Sequence, residues 1–256
     1  MNLIALTREV SASIVDCELT HLAREPIDVG RARAQHRAYE DALAASGCTV
    51  VRVAGAPQSP DAVFIEDAAV VLDEVAVITR PGAASRRSET AAVADALGRY
   101  RPLQFITAPG TIDGGDVLVV GRDVFVGVSS RTNEAAVSQV QAILQPHGYR
   151  VRPVAVTGCL HLKSAVTALS DDRLLLNGEW VASGHFPSFG LVEVDALEPR
   201  AANIVRVYGE LVYTDAFPRT RERIERAGLS VRTVDVSELA KAEGAVTCCS
   251  LIFGSS

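Results

Sequence analysis

Residues 68–90 read AAVVLDEVAVITRPGAASRRSET, and the layout of this stretch recurs along the chain. An apolar run, a short acidic turn and a second apolar run predict a pair of strands. An Arg-x-x-Glu pair then opens a predicted helix. Residues 116–137, DVLVVGRDVFVGVSSRTNEAAV, and residues 203–224, NIVRVYGELVYTDAFPRTRERI, follow the same order. The sequence therefore contains an internal repeat of strand, strand and helix.

The spacing of the helix-opening arginines gives the number of units. Arg86 and Arg131 are 45 residues apart, whereas Arg131 and Arg219 are 88 residues apart, which leaves room for one more copy. Residues 164–186 fill this gap with two predicted strands but lack the Arg-x-x-Glu pair. A predicted helix near residues 29–46, followed by the strand TVVRVAG, adds an N-terminal unit. The count comes to about five.

A unit this short cannot bury its own hydrophobic face, so the units must pack against one another. We expect an α/β protein in which about five units share one core around an axis. The alternative is an ordinary mixed α/β sheet whose hairpins are alike by chance. No stretch rich in Pro, Gly or Ser divides the chain, so residues 1–256 are predicted to form a single domain.

Composition excludes several classes of function. The 256 residues are 48% hydrophobic and 22% charged with a net charge of −6, which is typical of a globular chain without a basic surface. Nucleic acid and anionic membranes are therefore disfavoured as partners, and a small cationic ligand remains possible. No apolar stretch approaches the ~18 residues of a membrane helix. Early charges and five scattered cysteines predict a cytoplasmic protein without a signal peptide.

Two adjacent cysteines lie in the apolar run AVTCCSLIF at residues 245–253. Because neighbours on a strand point to opposite faces, a strand here would place Cys249 with Leu251 and Phe253 in the core. Cys248 would then face a pocket, where a thiolate could act as a nucleophile. The alternative is that both cysteines are small buried hydrophobes.

An acid/base partner for such a thiol is offered by GCLHLKSAV at residues 158–166. Interpreted as a strand, it places His161 and Lys163 on one face, where His161 could serve as general acid/base. The alternative is a structural or solvated histidine. Residues 113–116, DGGD, are either a hairpin turn or a place where glycines allow close approach. In the second case Asp113 could orient His161.

Three carboxylates, those of Asp61, Glu66 and Asp67, interrupt or border an apolar run in PDAVFIEDAAVVL at residues 60–72. Burying a carboxylate is costly unless a cation or several donors meet it. A guanidinium ligand would match these carboxylates well because its planar donors form paired hydrogen bonds. Pairing with the protein's own arginines is the equal alternative.

Arg86 and Arg131 stand where helices are predicted to open, past strand ends. A cation at this end opposes the helix dipole, which favours a ligand role such as holding a substrate carboxylate. The alternative is structural pairing within each repeat.

Six motifs in this order resemble the dimethylarginine dimethylaminohydrolases of the pentein (guanidine-modifying) superfamily. They are PDAVFIED at 60–67, ITRPGAASRR at 78–87, GTIDGGDVL at 110–118, SRTN at 130–133, LHLKSAVTAL at 160–169 and VTCCSL at 246–251. The resemblance runs through essentially the whole chain. It implies a five-bladed ββαβ propeller, the pentein fold, with a pseudo-fivefold repeat.

The resemblance also implies a role for each matching residue. Cys248 would be the nucleophile, His161 the general acid/base and Asp113 its acidic partner, where some family members have Glu. The implied substrate-binding residues are Leu19 in a lid, Asp61, Glu66 and Asp67 around the guanidinium, Arg86 and Arg131 at the amino-acid end, and Ala242, where relatives carry a larger aliphatic residue.

The implied activity is hydrolysis of asymmetric dimethylarginine or monomethylarginine to citrulline and an amine, through a covalent S-alkylthiouronium on the cysteine. No metal and no organic cofactor are implied, and the protein would be a monomer or homodimer. The nearest alternative is an arginine or agmatine deiminase. A non-catalytic pentein binding factor is disfavoured by the retained Cys, His and Asp, and a thiol hydrolase of amides is disfavoured by the buried carboxylates.

Overall fold

Five three-stranded sheets form the fold in the computed structural model, which describes residues 2–255. The strands are β1 (Leu3–Thr7), β2 (Cys48–Arg52), β3 (Ala69–Val71), β4 (Ala76–Ile78), β5 (Leu103–Phe105), β6 (Val117–Val120), β7 (Asp123–Val128), β8 (Arg150–Ala155), β9 (Val166–Ala168), β10 (Arg173–Leu176), β11 (Gly190–Glu193), β12 (Val205–Val207), β13 (Glu210–Thr214), β14 (Ser230–Val234) and β15 (Leu251–Gly254). The α-helices are α1 (Val29–Ala45), α2 (Thr90–Leu97), α3 (Glu134–Leu144), α4 (Leu162–Ala165), α5 (Pro218–Arg226) and α6 (Ser237–Ala240).

Each sheet is one unit of the predicted repeat. In the first four units, β3-β4-β5, β6-β7-β8, β9-β10-β11 and β12-β13-β14, an antiparallel pair is extended by a parallel third strand. The fifth unit combines the two ends of the chain, because β1 pairs antiparallel with β15 and parallel with β2. The prediction of a five-unit α/β repeat is confirmed, and the single mixed sheet is wrong.

A parallel third strand requires a crossover, and a helix supplies it in four units. The helix is α1 in the fifth unit, α2 in the first, α3 in the second and α5 in the fourth. The Asn133 side chain accepts a hydrogen bond from the Ala136 N–H at 3.0 Å and so caps α3. The third unit, which lacks Arg-x-x-Glu, has a short 3-10 turn at Ser183–His185 instead.

Apolar residues pack between neighbouring units rather than in one central core. Residues 2–255 contain five buried apolar clusters, and each joins two adjacent units. One cluster, for example, packs Val70 and Val77 of the first unit against Val117 and Val124 of the second. Another closes the ring by packing Leu6 of the fifth unit against Ile78 of the first. The expected shared core is therefore divided among the five interfaces, because each sheet face is covered by its neighbour.

The first strands of the units, β3, β6, β9, β12 and β15, surround a central cavity of about 820 Å³, a volume that includes space open to solvent. Four of these inner strands follow directly or closely on a single helical turn. The turns are Ile65–Ala68, Gly114–Asp116, Leu162–Ala165 and Thr247–Cys249. Since the units are arranged in a ring, these turns meet at one end of the central cavity. No helix in the described part of the chain is long and apolar enough to cross a membrane.

Candidate active site

A second cavity of about 380 Å³, including its open mouth, lies at the end where the helical turns meet. It is lined by Glu18, Asp61, Phe64, Asp67, Arg86, Asp113, Arg131, Leu160, His161, Ala242, Glu243 and Cys248. Eight of the ten predicted site residues are in this list. Glu66 lines the central cavity instead. Leu19 lies between Glu18 of the list and Thr20, and its side chain is half-buried.

Cys248 lies in the 3-10 turn Thr247–Cys249, so the prediction of a strand through both cysteines is wrong. The turn forms because local hydrogen bonds join the Cys248 N–H to Ala245 O and the Ser250 N–H to Thr247 O. Cys248 nevertheless faces the cavity, while Cys249 is fully buried in a different cluster from Leu251. The conclusion about the two thiols agrees with the structure, although the alternation on which it was based does not occur.

The thiol of Cys248 is protonated at neutral pH in this arrangement. Burial is the largest cause, and the nearby carboxylates of Glu66 and Asp67 add to it, so that the pKa of Cys248 rises to about 12. A cation placed beside these carboxylates would offset their charge and lower the pKa of the thiol. A cation bound in this cavity would therefore favour the thiolate form of Cys248.

His161 precedes the short helix α4, so the predicted strand face shared by His161 and Lys163 is wrong. The carboxylate of Asp116 accepts a hydrogen bond from the Leu162 N–H at 2.9 Å and so holds the start of this helix. Within one helical turn the side chains diverge. His161 faces the cavity that contains Cys248, whereas the Lys163 ammonium lies 2.5 Å from the Glu66 carboxylate beside the central cavity.

Two carboxylates face the two ring nitrogens of His161. The Asp113 carboxylate lies 3.1 Å from Nε2, and the Asp67 carboxylate lies 3.8 Å from Nδ1. Burial disfavours the charged imidazolium, but Asp67, Asp113 and Asp116 outweigh it and raise the pKa of His161 to about 9. Asp113 is itself held in place, because the Gly82 N–H donates to its carboxylate at 2.9 Å. The predicted pairing of Asp113 with His161 is thus present in the geometry.

The DGGD segment forms a single helical turn, Gly114–Asp116, and not a hairpin turn. A Cβ atom on Gly115 would lie 2.5 Å from His161 Nδ1, and one on Gly114 would overlap the carbonyl oxygen of Glu66. The two glycines therefore allow the imidazole and a neighbouring backbone to approach closely, as the second interpretation of this motif expected.

The three predicted carboxylates are buried, and each has a different environment. Asp67 lies 2.5 Å from the Arg86 guanidinium; burial opposes ionisation, but His161 and Arg86 hold the pKa of Asp67 at about 2. Glu66 binds Lys163 and the Thr247 hydroxyl. The Asp61 carboxylate accepts the Glu18 N–H at 3.2 Å and has no ion pair within residues 2–255. Asp61 is therefore the carboxylate most available to a cationic ligand.

Arg86 is buried and already has several protein partners. Its guanidinium contacts the carboxylates of Asp67 and Glu89, and it donates to the carbonyl oxygens of Asp61 and Phe64. Asp67 is therefore paired with one of the protein's own arginines, as the equal alternative in the sequence analysis expected. Any contact of Arg86 with a substrate carboxylate stays a prediction.

Arg131 is bound to a segment that contributes Glu18 to the cavity lining, and we call this segment the lid (residues 17–24). Its guanidinium lies 3.4 Å from the Glu18 carboxylate and 3.1 Å from the Thr20 hydroxyl. The Glu243 carboxylate accepts the N–H groups of Thr20, His21 and Leu22 at 2.5–3.1 Å. The predicted lid position of Leu19 therefore lies in a segment tied to the cavity wall.

Sequence reasoning missed Glu243, Glu18, Leu160 and Phe64. Glu243 has a left-handed backbone with φ of 58°, which is uncommon for a residue other than glycine. No local pattern could have identified it, because its partners in the lid lie more than 220 residues away. Glu18 and Leu160 adjoin predicted site residues, so that proximity in sequence was the available signal.

Three potential metal-ligand atoms, from Asp67, Asp113 and His161, lie within 4.8 Å of one another. Both nitrogens of this histidine already face carboxylates, which suits an acid/base role. The expected lack of a metal or other cofactor stays a prediction.

Comparisons with known proteins agree with this geometry. The sequence profile of the family described as arginine deiminase matches residues 56–217. The N(G),N(G)-dimethylarginine dimethylaminohydrolase of Streptomyces coelicolor is 42% identical, and the match covers 96% of this chain and 95% of that protein. The Pseudomonas aeruginosa protein of the same name is 37% identical over 97% of this chain and 98% of its own length.

A solved structure shows the same fold. It is a cysteine-to-serine variant of the Pseudomonas aeruginosa dimethylarginine dimethylaminohydrolase in complex with citrulline. The TM-score is 0.94 at 36% identity, and the match covers 99% of this chain and all of the other. With a near-complete match in sequence and in fold, the chain belongs to the dimethylarginine dimethylaminohydrolase family of the pentein superfamily.

Proposed function

We propose that this protein hydrolyses asymmetric dimethylarginine and monomethylarginine to citrulline and dimethylamine or methylamine. The observation that carries the proposal is the single cavity that contains the Cys248 thiol, the His161 imidazole and the buried carboxylates of Asp61 and Asp67. A nucleophile, a proton donor and an anionic pocket are what a guanidinium hydrolase needs. Near-complete matches to proteins named for this activity support it.

The substrate guanidinium would lie against Asp61 and Asp67, because these carboxylates line the cavity beside the thiol. Glu66 would attract the guanidinium only through its charge, because it lines the central cavity and not the cavity of Cys248. At the amino-acid end, Arg131 would bind the substrate carboxylate, with Arg86 supporting it while holding Asp67 in place.

Apolar contacts would complete the pocket. Leu19 would close over the substrate as part of the lid, and Ala242 would form a small part of the cavity wall. Ala242 is buried and lines the cavity, so its small side chain leaves room where a larger aliphatic residue would fill it.

The first chemical step would form a covalent intermediate. Entry of the guanidinium lowers the pKa of Cys248 and the thiol proton leaves to solvent. The thiolate attacks the guanidinium carbon, and His161 as imidazolium donates its proton to the departing amine nitrogen. The C–N bond breaks, which leaves neutral His161 and an S-alkylthiouronium on Cys248.

The second step would release the product. Neutral His161 accepts a proton from water, and the resulting hydroxide adds to the thiouronium carbon. The C–S bond then breaks while the hydroxyl group of the tetrahedral intermediate passes its proton to the departing sulfur. This regenerates the Cys248 thiol and the protonated His161, and neutral citrulline leaves. Side chains and water balance every atom and proton of the two steps, so they require no cofactor.

The proposal is tested by product analysis with purified, reduced protein. Asymmetric dimethylarginine should yield citrulline and dimethylamine in equal amounts, and arginine should yield little product. Citrulline and ammonia from arginine would instead assign the protein to the deiminases. A folded protein that forms no citrulline from either substrate would overturn the proposal.

Replacing Asp67 with asparagine should raise KM strongly, by about 10-fold or more, because the pocket loses a charge that attracts the guanidinium. The same change removes one of the two carboxylate partners of Arg86 and a charge that raises the pKa of His161. Initial rates against substrate concentration measure the effect. An unchanged KM would remove Asp67 from the guanidinium pocket.

Activity should fall as the pH rises through about 9. The pKa of His161 is raised to about 9, so the imidazolium needed to protonate the leaving amine is present below that pH and lost above it. The profile of kcat/KM against pH reports the free enzyme and should show this falling limb. Continued increase of kcat/KM through pH 10 would contradict the assignment of His161 as proton donor.

We further infer one catalytic domain over residues 1–256, acting as a monomer or homodimer in the cytoplasm without nucleic acid or membrane partners. Pairing of β1 with β15 supports the single domain, because the two ends of the chain build one sheet. Light scattering after size-exclusion chromatography measures the oligomeric state. A trimer or larger assembly would overturn the inference of a monomer or homodimer.

A further inference from the structure

The fourth unit contributes to the ring of turns in a different way from the others. Its inner strand β12 is not preceded by a helical turn, and Asn203 lies at that position with 6% of its surface exposed. No motif of the sequence and no step of the proposed mechanism uses this side chain. Its carboxamide is nevertheless fully engaged with two of the neighbouring turns.

Asn203 connects the main chains of the turns that carry the nucleophile and the histidine. Its Oδ1 accepts the N–H of Thr247, the residue before Cys248, at 3.0 Å. Its Nδ2 donates to the carbonyl oxygen of Lys163, two residues after His161, at 3.0 Å, and to the Thr247 hydroxyl at 2.9 Å. One amide group thereby spans the two segments whose side chains must meet at the substrate.

The contacts continue behind the thiol. The Thr247 hydroxyl accepts from Asn203 and donates to the Glu66 carboxylate at 2.8 Å, and the Lys163 ammonium contacts the other oxygen of Glu66. The Thr247 N–H can only donate and the Lys163 carbonyl can only accept, so these two groups determine the orientation of the Asn203 amide. An Asp at position 203 would place a carboxylate oxygen against the Lys163 carbonyl oxygen. Both atoms are acceptors, so Asp could not replace this hydrogen bond of Asn203.

We propose that Asn203 is a positioning residue of the hydrolysis, which holds the turn of Cys248 in register with the turn of His161. This rests on the proposed function, because the register matters only if the two side chains act together. Displacement of a reacting group by about 1 Å costs a rate factor of about 10². Loss of the Asn203 hydrogen bonds should therefore lower kcat more than it weakens substrate binding.

The test compares Asn203→Ala and Asn203→Asp with a matched control, Asn177→Ala. Asn177 is also a buried amide that joins two segments, through the Pro199 carbonyl and the Glu179 N–H, but it lies outside the cavity of Cys248. For asymmetric dimethylarginine we expect both Asn203 variants to lose kcat by about 10²-fold with KM changed by about threefold or less. The control should lose thermal stability to a similar degree and keep its kcat.

A second measurement does not need turnover. The rate of Cys248 alkylation by iodoacetamide, with a Cys248→Ser protein as the blank, gives the titration midpoint of the thiol. Glu66, Asp67 and Lys163 face this thiol, and burial dominates its pKa. Release of the turn exposes the thiol to water, so the midpoint should fall toward the ordinary value in the Asn203 variants and not in the control.

Unchanged kcat and midpoint in both Asn203 variants would overturn the proposal, as would an equal loss of kcat in Asn177→Ala. If the Asn203 variants do not fold, Thr247→Val removes one of the three hydrogen bonds of Asn203 at nearly constant shape and should lower kcat by a smaller factor, with KM little changed. A kcat equal to that of the wild type in this variant would overturn the proposal. A wild-type protein without turnover would refute the proposed function, whereas the alkylation midpoint would still decide the role of Asn203.

Discussion

Replacing Cys248 with serine should abolish citrulline formation, with a loss in kcat of about 10⁴-fold or more. A serine hydroxyl loses its proton far less readily than a thiol, and the carboxylates of Glu66 and Asp67 disfavour a second anion beside them. The side chains are similar in size, so the turn Thr247–Cys249 should keep its shape. Steady-state citrulline formation measures the loss, and circular dichroism confirms the fold.

The control is the neighbouring thiol. Cys249 is fully buried and its Sγ contacts the Ala245 carbonyl at 3.5 Å, a contact that a serine hydroxyl can also make. Cys249→Ser should therefore lose little kcat, within about threefold. Wild-type rates in Cys248→Ser would refute Cys248 as the nucleophile. Equal losses in both variants would mean that the turn, rather than one sulfur, is what activity requires.

Replacing His161 with glutamine should lower kcat by about 10²- to 10⁴-fold. Glutamine is polar but does not titrate, so the amine would have to leave without a proton and water would have to attack without a base. The Asp67 carboxylate would also lose one of the two cations that lower its pKa, and Arg86 would remain as the other. Rates at several pH values should show no falling limb near pH 9.

A second buried histidine provides the control. His36 is 2% exposed and lies 3.8 Å from the Glu40 carboxylate in helix α1, outside the residues that line the cavity of Cys248. His36→Gln should lower thermal stability and leave kcat unchanged. If His161→Gln loses no more kcat than this control, His161 is not the acid/base.

Much of the architecture was predictable because it depends on local pattern. Apolar runs joined by short turns at 68–90, 116–137 and 203–224 predicted strands that the structure contains. The missing Arg-x-x-Glu at 164–186 coincides with a missing crossover helix. The strands predicted through Cys248 and His161 were wrong. In both places a side chain from another unit, Asn203 or Asp116, captures a backbone N–H and favours a turn.

The sequence alone determined the number and order of the units, because each apolar face is encoded by periodicity within about twenty residues. It also contained the thiol, the imidazole and the acids of the site. Only the tertiary structure decided which partner each acidic side chain binds and which cavity it lines. Glu66 and Asp67 are adjacent, yet one binds Lys163 beside the central cavity and the other binds Arg86 beside Cys248. In the 3-10 turn Ile65–Ala68, consecutive side chains diverge by about 120°, and their partners come from distant units, so no local pattern can assign them.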